Sequence, residues 1–122
     1  MKLSAIASAF VETLQAINGV RGDRAFSFEF VSINDHACSK SGIIYPVRSH
    51  PSRKMDVLVL LTGVGLDVVE SIAALEEESE RVKPLVLLAK RQKARIAATC
   101  GASYILARLG LLNGRSATIS WW

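Results

Sequence analysis

Residues 95–112 read RIAATCGASYILARLGLL, and the fold follows from how this stretch is parsed. Ile96–Thr99 is a short apolar run with the length of a buried strand, and Gly101–Leu109 has the composition of a helix. Gly110 is placed to stop that helix. Cys100 then falls at a strand-to-helix corner. Such a corner is tight, and it admits only small residues two positions to either side because other chain runs close by. Ala98 and Ala102 meet that demand, with Gly101 between them. The arrangement is the nucleophile-elbow pattern with Cys in place of Ser and Ala in place of Gly, in which strain turns the nucleophile out of the core. The other reading is a buried structural cysteine, since free Cys is among the most buried residue types.

Upstream, Met55–Leu61 is a continuous apolar run broken only by Asp56. A run of that kind predicts a strand covered on both faces, as in a parallel sheet. Thr62-Gly63-Val64-Gly65 follows it. By themselves Gly63 and Gly65 read as a plain turn. Asp67 opens a helix to about Glu80, with Leu66, Val69, Ile72, Ala73 and Leu75 expected inward. Glu76, Glu77, Glu78 and Glu80 read as its solvated acidic end. Pro84 is expected in the first turn of a further helix carrying Leu85, Leu88 and Ala89. Beyond Gly110, Asn113-Gly114 predicts a tight turn and Ala117–Ile119 a short strand.

The amino-terminal part is patterned differently. Leu3, Ile6, Ala7, Phe10, Val11, Leu14 and Ile17 recur at helical spacing, with Asn18-Gly19 as the expected end. Ala25–Ser32 alternates Phe26, Phe28 and Phe30 against Ser27 and Glu29, which predicts a strand with one aromatic face. Residues 33–54 are rich in turn signals, with Ile43–Tyr45 as a short strand inside them. His36, Cys38 and His50 fall in this segment, but their spacing does not make a metal set, and no metal is expected.

Strands alternating with helices predict an α/β fold with a mostly parallel sheet and right-handed crossovers. In such sheets sites lie at the carboxyl ends of the strands. Gly63–Gly65 and Cys100 both follow strands, so they are expected to share one crevice.

The chain has 122 residues, of which 50% are hydrophobic and 21% charged, with a net charge of +4. That length fits a single domain, residues 1–122, burying about two-thirds of its unfolded surface. The composition argues for a packed core and against disorder. Lys90, Arg91, Lys93 and Arg95 form the one basic cluster, read as the solvated end of a helix in preference to a nucleic-acid patch, since no aromatics are interleaved to stack on bases. Two cysteines give no disulfide framework, which fits a reducing cytoplasm. No signal peptide and no apolar run near the length of a membrane span is found.

The segment TCGASYILARLGLLNGRSATISW resembles the ThiJ/PfpI superfamily, which has the class I glutamine amidotransferase-like fold. Within it, the similarity is to the branch that forms the N-terminal domain of AraC-type transcriptional regulators. Cys100, Leu106, Ala107, Gly110, Leu111, Leu112, Gly114, Thr118 and Trp121 carry it, and Ala5–Asn18 agrees with the start of such domains. The resemblance implies a three-layer, flavodoxin-like sandwich around a mostly parallel sheet. It also implies a first strand before residue 3 and a continuation past Trp122, so the chain is expected to be an excerpt of a longer domain. The missing strand would leave an open sheet edge, with self-association or a homodimer as the consequence.

A cysteine nucleophile needs a base or acid in reach and donors for an oxyanion. Gly101 and the Gly63–Gly65 turn are the candidate donors. The superfamily's enzymes use an acid near the start of the first helix or a His next to the cysteine. Here Ile6 stands about where the acid falls, Gly101 follows the cysteine, and Ser120 replaces the His of the family's Thr-x-His-Trp. The resemblance therefore implies a sensing domain without a cofactor. Gly63, Val64, Gly65, Cys100 and Gly101 would bind a small amino acid, betaine or carboxylate, and DNA would be read by a helix-turn-helix domain downstream. The alternative is a cysteine-dependent hydrolase, amidotransferase or glyoxalase-like enzyme using Cys100. A third reading is a redox sensor in which Cys100 is oxidised.

Overall fold

The structure, a computed structural model, describes residues 5–32, 37–38, 42–62 and 68–118. Its contacts group into two compact units, Lys2–Pro51 and Ser52–Trp122.

The amino-terminal unit begins with helix α1, Ala5–Arg21. It runs through Asn18 and Gly19, beyond the expected end. Gly22 stops it instead, at φ +70°, with its amide on the Asn18 carbonyl at 3.0 Å. Asn-Gly is only a weak stop in a helix whose next residues can continue it. The left-handed turn that ends a helix is open to Gly at no steric cost, and it falls three residues later. Of the expected apolar stripe, Ala7 is buried and Val11 and Leu14 are half-buried, while Ile6, Phe10 and Ile17 are exposed. Leu3 lies outside the described residues.

Residues 24–30 form no strand, contrary to the alternation of their aromatics. They are held by side chains instead. The Asn18 amide donates to the Phe26 carbonyl and accepts from the Phe26 amide, both at 2.8 Å, standing in for a ladder partner. Among the described residues one isolated bridge, parallel between Val31 and Arg48, follows this segment. Phe28 meets Phe30 edge-on, and Phe30 lies 5.3 Å from the Tyr45 ring. Strands β1, Ala37–Cys38, and β2, Ile44–Tyr45, pair antiparallel, so the expected short strand at Ile43–Tyr45 is present. Tyr45 is buried, and its hydroxyl shares a 2.7 Å hydrogen bond with Ser8 on α1.

The second unit is a β-α-β-α succession. Strand β3, Val57–Leu61, is followed by helix α2, Val68–Arg91, strand β4, Arg95–Thr99, and helix α3, Ala102–Arg108. β3 and β4 pair in parallel, with Leu58 opposite Ile96, Leu60 opposite Ala98 and Leu61 opposite Thr99. Mixed α/β architecture with a parallel pair is therefore observed. Leu58 and Leu60 join Leu75, Val86 and Ala89 of α2 and Ala102, Ile105 and Leu106 of α3 in one buried cluster.

α2 departs from expectation by being one helix, with Pro84 in its interior. Proline there lacks a donor for the carbonyl four residues back, at Glu80. Both residues lie on the exposed face, where water can take the place of the missing donor, and the helix continues. The buried face is Ser71, Leu75, Glu78, Ser79, Val86 and Ala89. Of the expected inward set, Leu75 is buried, Val69, Ile72 and Ala73 are exposed and Leu66 lies outside the described residues, while Glu78 is buried rather than solvated. Ser79 is accommodated because its hydroxyl donates to the Leu75 carbonyl at 2.7 Å. After α3, Asn113 and Gly114 form a turn with Gly114 at φ +70°, as expected. Residues 117 and 118 are not in a strand, and Ile119 lies outside the described residues.

Candidate functional site

β4 ends at Thr99 and α3 begins at Ala102, so Cys100 and Gly101 are the corner between them. Cys100 has φ +49°, and among the described residues it is one of two non-glycine positions with positive φ. A side chain in this region costs roughly 1 kcal/mol or more against the ordinary helical basin. The sequence expectation of a strained corner at Cys100 thus agrees with its backbone. The Ser103 amide closes the turn on the Cys100 carbonyl at 3.2 Å, and the Tyr104 amide follows onto Gly101 at 3.0 Å. Cys100 is half-buried and its thiol is free.

The small residues around it have the reason that the sequence suggests. Gly101 and Ala102 are buried, Ala102 completely, and Ala98 packs against the same cluster from β4. A larger side chain at 102 would meet the face of α2 that carries Val86 and Ala89. Tyr104 extends the contact by donating from its hydroxyl to Glu76 of α2 at 3.2 Å.

Opposite this corner the other parallel strand ends on Thr62. The register pairs Leu61 with Thr99, so Thr62 and Cys100 are the next step along the two strands. Thr62 follows Leu58 and Leu60 on the helix-covered face and is 2% exposed. Its hydroxyl has no hydrogen-bond partner among the described residues. A buried hydroxyl without a partner costs about 1–3 kcal/mol, and natural structures hold few of them. Sequence reasoning passed over Thr62, although it is the first polar residue after an apolar run.

Of the residues expected at the crevice, the structure places Cys100 and Gly101 together at the carboxyl end of the parallel pair. Gly63, Val64 and Gly65 lie outside the described residues, as do His36 and Ser120. Ile6 belongs to the amino-terminal unit and is exposed on α1. Cys38 is half-buried in β1 and His50 is exposed. Among the described residues no group of three His, Cys, Asp or Glu side chains is placed to hold a metal ion. No described helix is long and apolar enough to cross a membrane.

No protein-family model, no curated protein and no solved structure matches the chain.

Proposed function

We propose that the chain is a small-molecule-sensing domain of the ThiJ/PfpI type from an AraC-type transcription regulator. The observation that carries this reading is Cys100 at φ +49° between β4 and α3, at the carboxyl end of a parallel strand pair. This is the position and the strain of an elbow, in a sequence that also carries Leu106-Ala107, Gly110-Leu111-Leu112 and Gly114 as that family does. The second face of the pair supports a three-layer sandwich. Val57 and Ala97 on that face are exposed and Val59 and Leu61 are half-buried, an apolar surface of the kind a further helix layer covers.

Sensing is preferred to catalysis because Gly101 stands where the family's enzymes place a His, and Ile6 where they place an acid. The ligand class is a small amino acid, a betaine or a short carboxylate, held by the amides of the corner and of Gly63–Gly65. The elbow itself favours the enzyme as the second reading, since it is the corner on which nucleophiles are mounted. Self-association belongs to the same reading: among the described residues β3 and β4 pair only with each other, which leaves both outer edges open.

Titration calorimetry with glycine, glycine betaine and acetate tests the proposal on the chain and on Cys100→Ser and Cys100→Trp, each first checked for native circular dichroism. Two or three amide contacts to a charged group support about micromolar binding. One of the three compounds is expected to bind at that level, to be retained by the Ser variant and to be lost in the Trp variant. Affinity unchanged by Cys100→Trp overturns the site. Ester or amide turnover abolished in Cys100→Ser overturns sensing in favour of the enzyme.

A further inference from the structure

The end of the second unit opposite Cys100 carries a charge cluster that the ligand reading leaves unused. There the amide of Met55 donates to the Gln92 side-chain oxygen at 2.7 Å, and the amide of Arg95 donates to the Asp56 carbonyl at 2.9 Å. These two bonds bring the segment before β3 beside the segment between α2 and β4. Arg53 and Lys54 thereby join Lys90, Arg91, Lys93 and Arg95, and all six are exposed. The ion pairs of α2 lie upstream, Arg81 with Glu77 and Lys83 with Glu80. Among the described residues none of the six cations takes part in an ion pair, and Asp56 is the one acid between them.

The carboxyl-terminal dipole of α2 accounts for cations at Lys90 and Arg91. It does not account for Lys93. The amide of Ala94 reaches the Ala89 carbonyl at 2.9 Å and that of Lys93 reaches Lys90 at 3.0 Å, so α2 ends in a Schellman motif with Lys93 in its left-handed position at φ +58°. α3 ends in the same motif, with Leu111 on Leu106 and Gly110 on Ala107, both at 2.9 Å, but there the left-handed residue is Gly110. Glycine takes that conformation without strain and lysine does not. A strained residue at an exposed helix end points to a use for its side chain.

We propose that this basic end binds the phosphate backbone of a nucleic-acid duplex, without reading sequence. The residues among the six cations are Ser52, Met55, Asp56, Gln92 and Ala94. None is aromatic, so the stacking that holds single strands has no platform. No exposed aromatic or long apolar side chain stands among them to enter a lipid interface, as membrane-surface segments require. Spaced ammonium and guanidinium groups alone are what phosphate contacts need.

Fluorescence anisotropy with a labelled duplex of about 20 base pairs, between about 50 and 200 mM salt, tests this on the whole chain; each phosphate contact adds roughly −0.9 to the log–log salt slope, so about −3 to −5 is expected. Two duplexes of unrelated sequence are expected to bind alike. The deciding variant is Lys93→Gly. It is expected to melt at a higher temperature because strain is removed, to bind several-fold more weakly, and to flatten the slope by about one. Arg53→Gln, Lys54→Gln, Lys90→Gln and Lys93→Gln combined are expected to lose at least about tenfold in affinity with native circular dichroism, whereas Arg81→Gln retains it. Lys93→Gly that gains stability at full affinity overturns the proposal. So does salt-independent binding, or tighter binding to phosphatidylserine vesicles than to duplex at equal phosphate.

Discussion

Residues 52–122 and residues 2–51 are held together in different ways. The first gather Leu58, Leu60, Leu75, Val86, Ile105 and their neighbours into one buried cluster between a parallel strand pair and two helices. In the second, the buried side chains among the described residues are Ala7, Ala37 and Tyr45, and a 17-residue helix leaves Ile6, Phe10 and Ile17 exposed. Its extended segment is tied by the Asn18 amide, one bridge and ring contacts rather than by a ladder. Apolar area removed from water dominates stability, at about 25 cal/mol per Å². Robust order is therefore expected in the first unit and dependence on a few polar bonds in the second.

Ile105→Ala attacks that contrast at its strong end. Ile105 is 1% exposed in the middle of the cluster. Removing its branched chain is expected to cost about 2–5 kcal/mol, read by chemical denaturation. A loss below about 1 kcal/mol would show that the cluster is loosely packed and the contrast false.

Pro84→Ala tests whether α2 spans the unit as one helix. Proline in a helix interior is less favourable than alanine by about 3 kcal/mol, and the exposed position relieves part of this. A gain of about 1–2 kcal/mol with no change of fold is expected. Destabilisation would mean that the proline ring fixes a bend on which packing against α3 depends.

Thr62→Val keeps the shape and removes the unpartnered hydroxyl. The variant is expected to be more stable by about 1 kcal/mol, measured as a shift in the denaturation midpoint. A loss of the same size would show that the hydroxyl has a partner in solution, for which a buried water is the candidate.

The smallest effect is placed in the other unit. Tyr45→Phe removes the 2.7 Å bond to Ser8 and is expected to cost about 0.5–1.5 kcal/mol. Exchange of the amides of residues 5–21 should quicken with it, while the amides of β3 and β4 keep their protection. Equal quickening in both units would contradict the separation drawn here.

The same division marks where the sequence was legible. β3, β4, the corner at Cys100 and the stop at Gly110 follow from local signals: apolar runs of strand length, small residues around a cysteine, and glycine after a helix. The strand expected at Ala25–Ser32 did not form because alternation reports only which side chains share a face. A strand also needs a partner backbone, and here Asn18 and Arg48 supply that bonding instead. The helix boundary expected at Pro84 failed for a related reason. Proline's penalty depends on whether the freed carbonyl faces water, and that follows from which side of α2 is buried.

Periodicity alone placed Val69, Ile72 and Ala73 inward with Leu75, yet the buried face carries Ser71, Glu78 and Ser79 beside Leu75. The choice between two faces of a helix is made by what packs against it, and α3 presents the small side chain of Ala102 and the larger ones of Ile105 and Leu106 there. Short-range chemistry, legible in residue order, fixed the parallel pair's two strands and the strained cysteine between strand and helix. Pairing across the chain decided the rest: the buried face of α2, the orphaned hydroxyl of Thr62 beside Cys100, and the meeting of Arg53 and Lys54 with the cations after α2. The last two depend on residues more than thirty positions apart, joined by the Met55–Gln92 bond and the Leu61–Thr99 pairing.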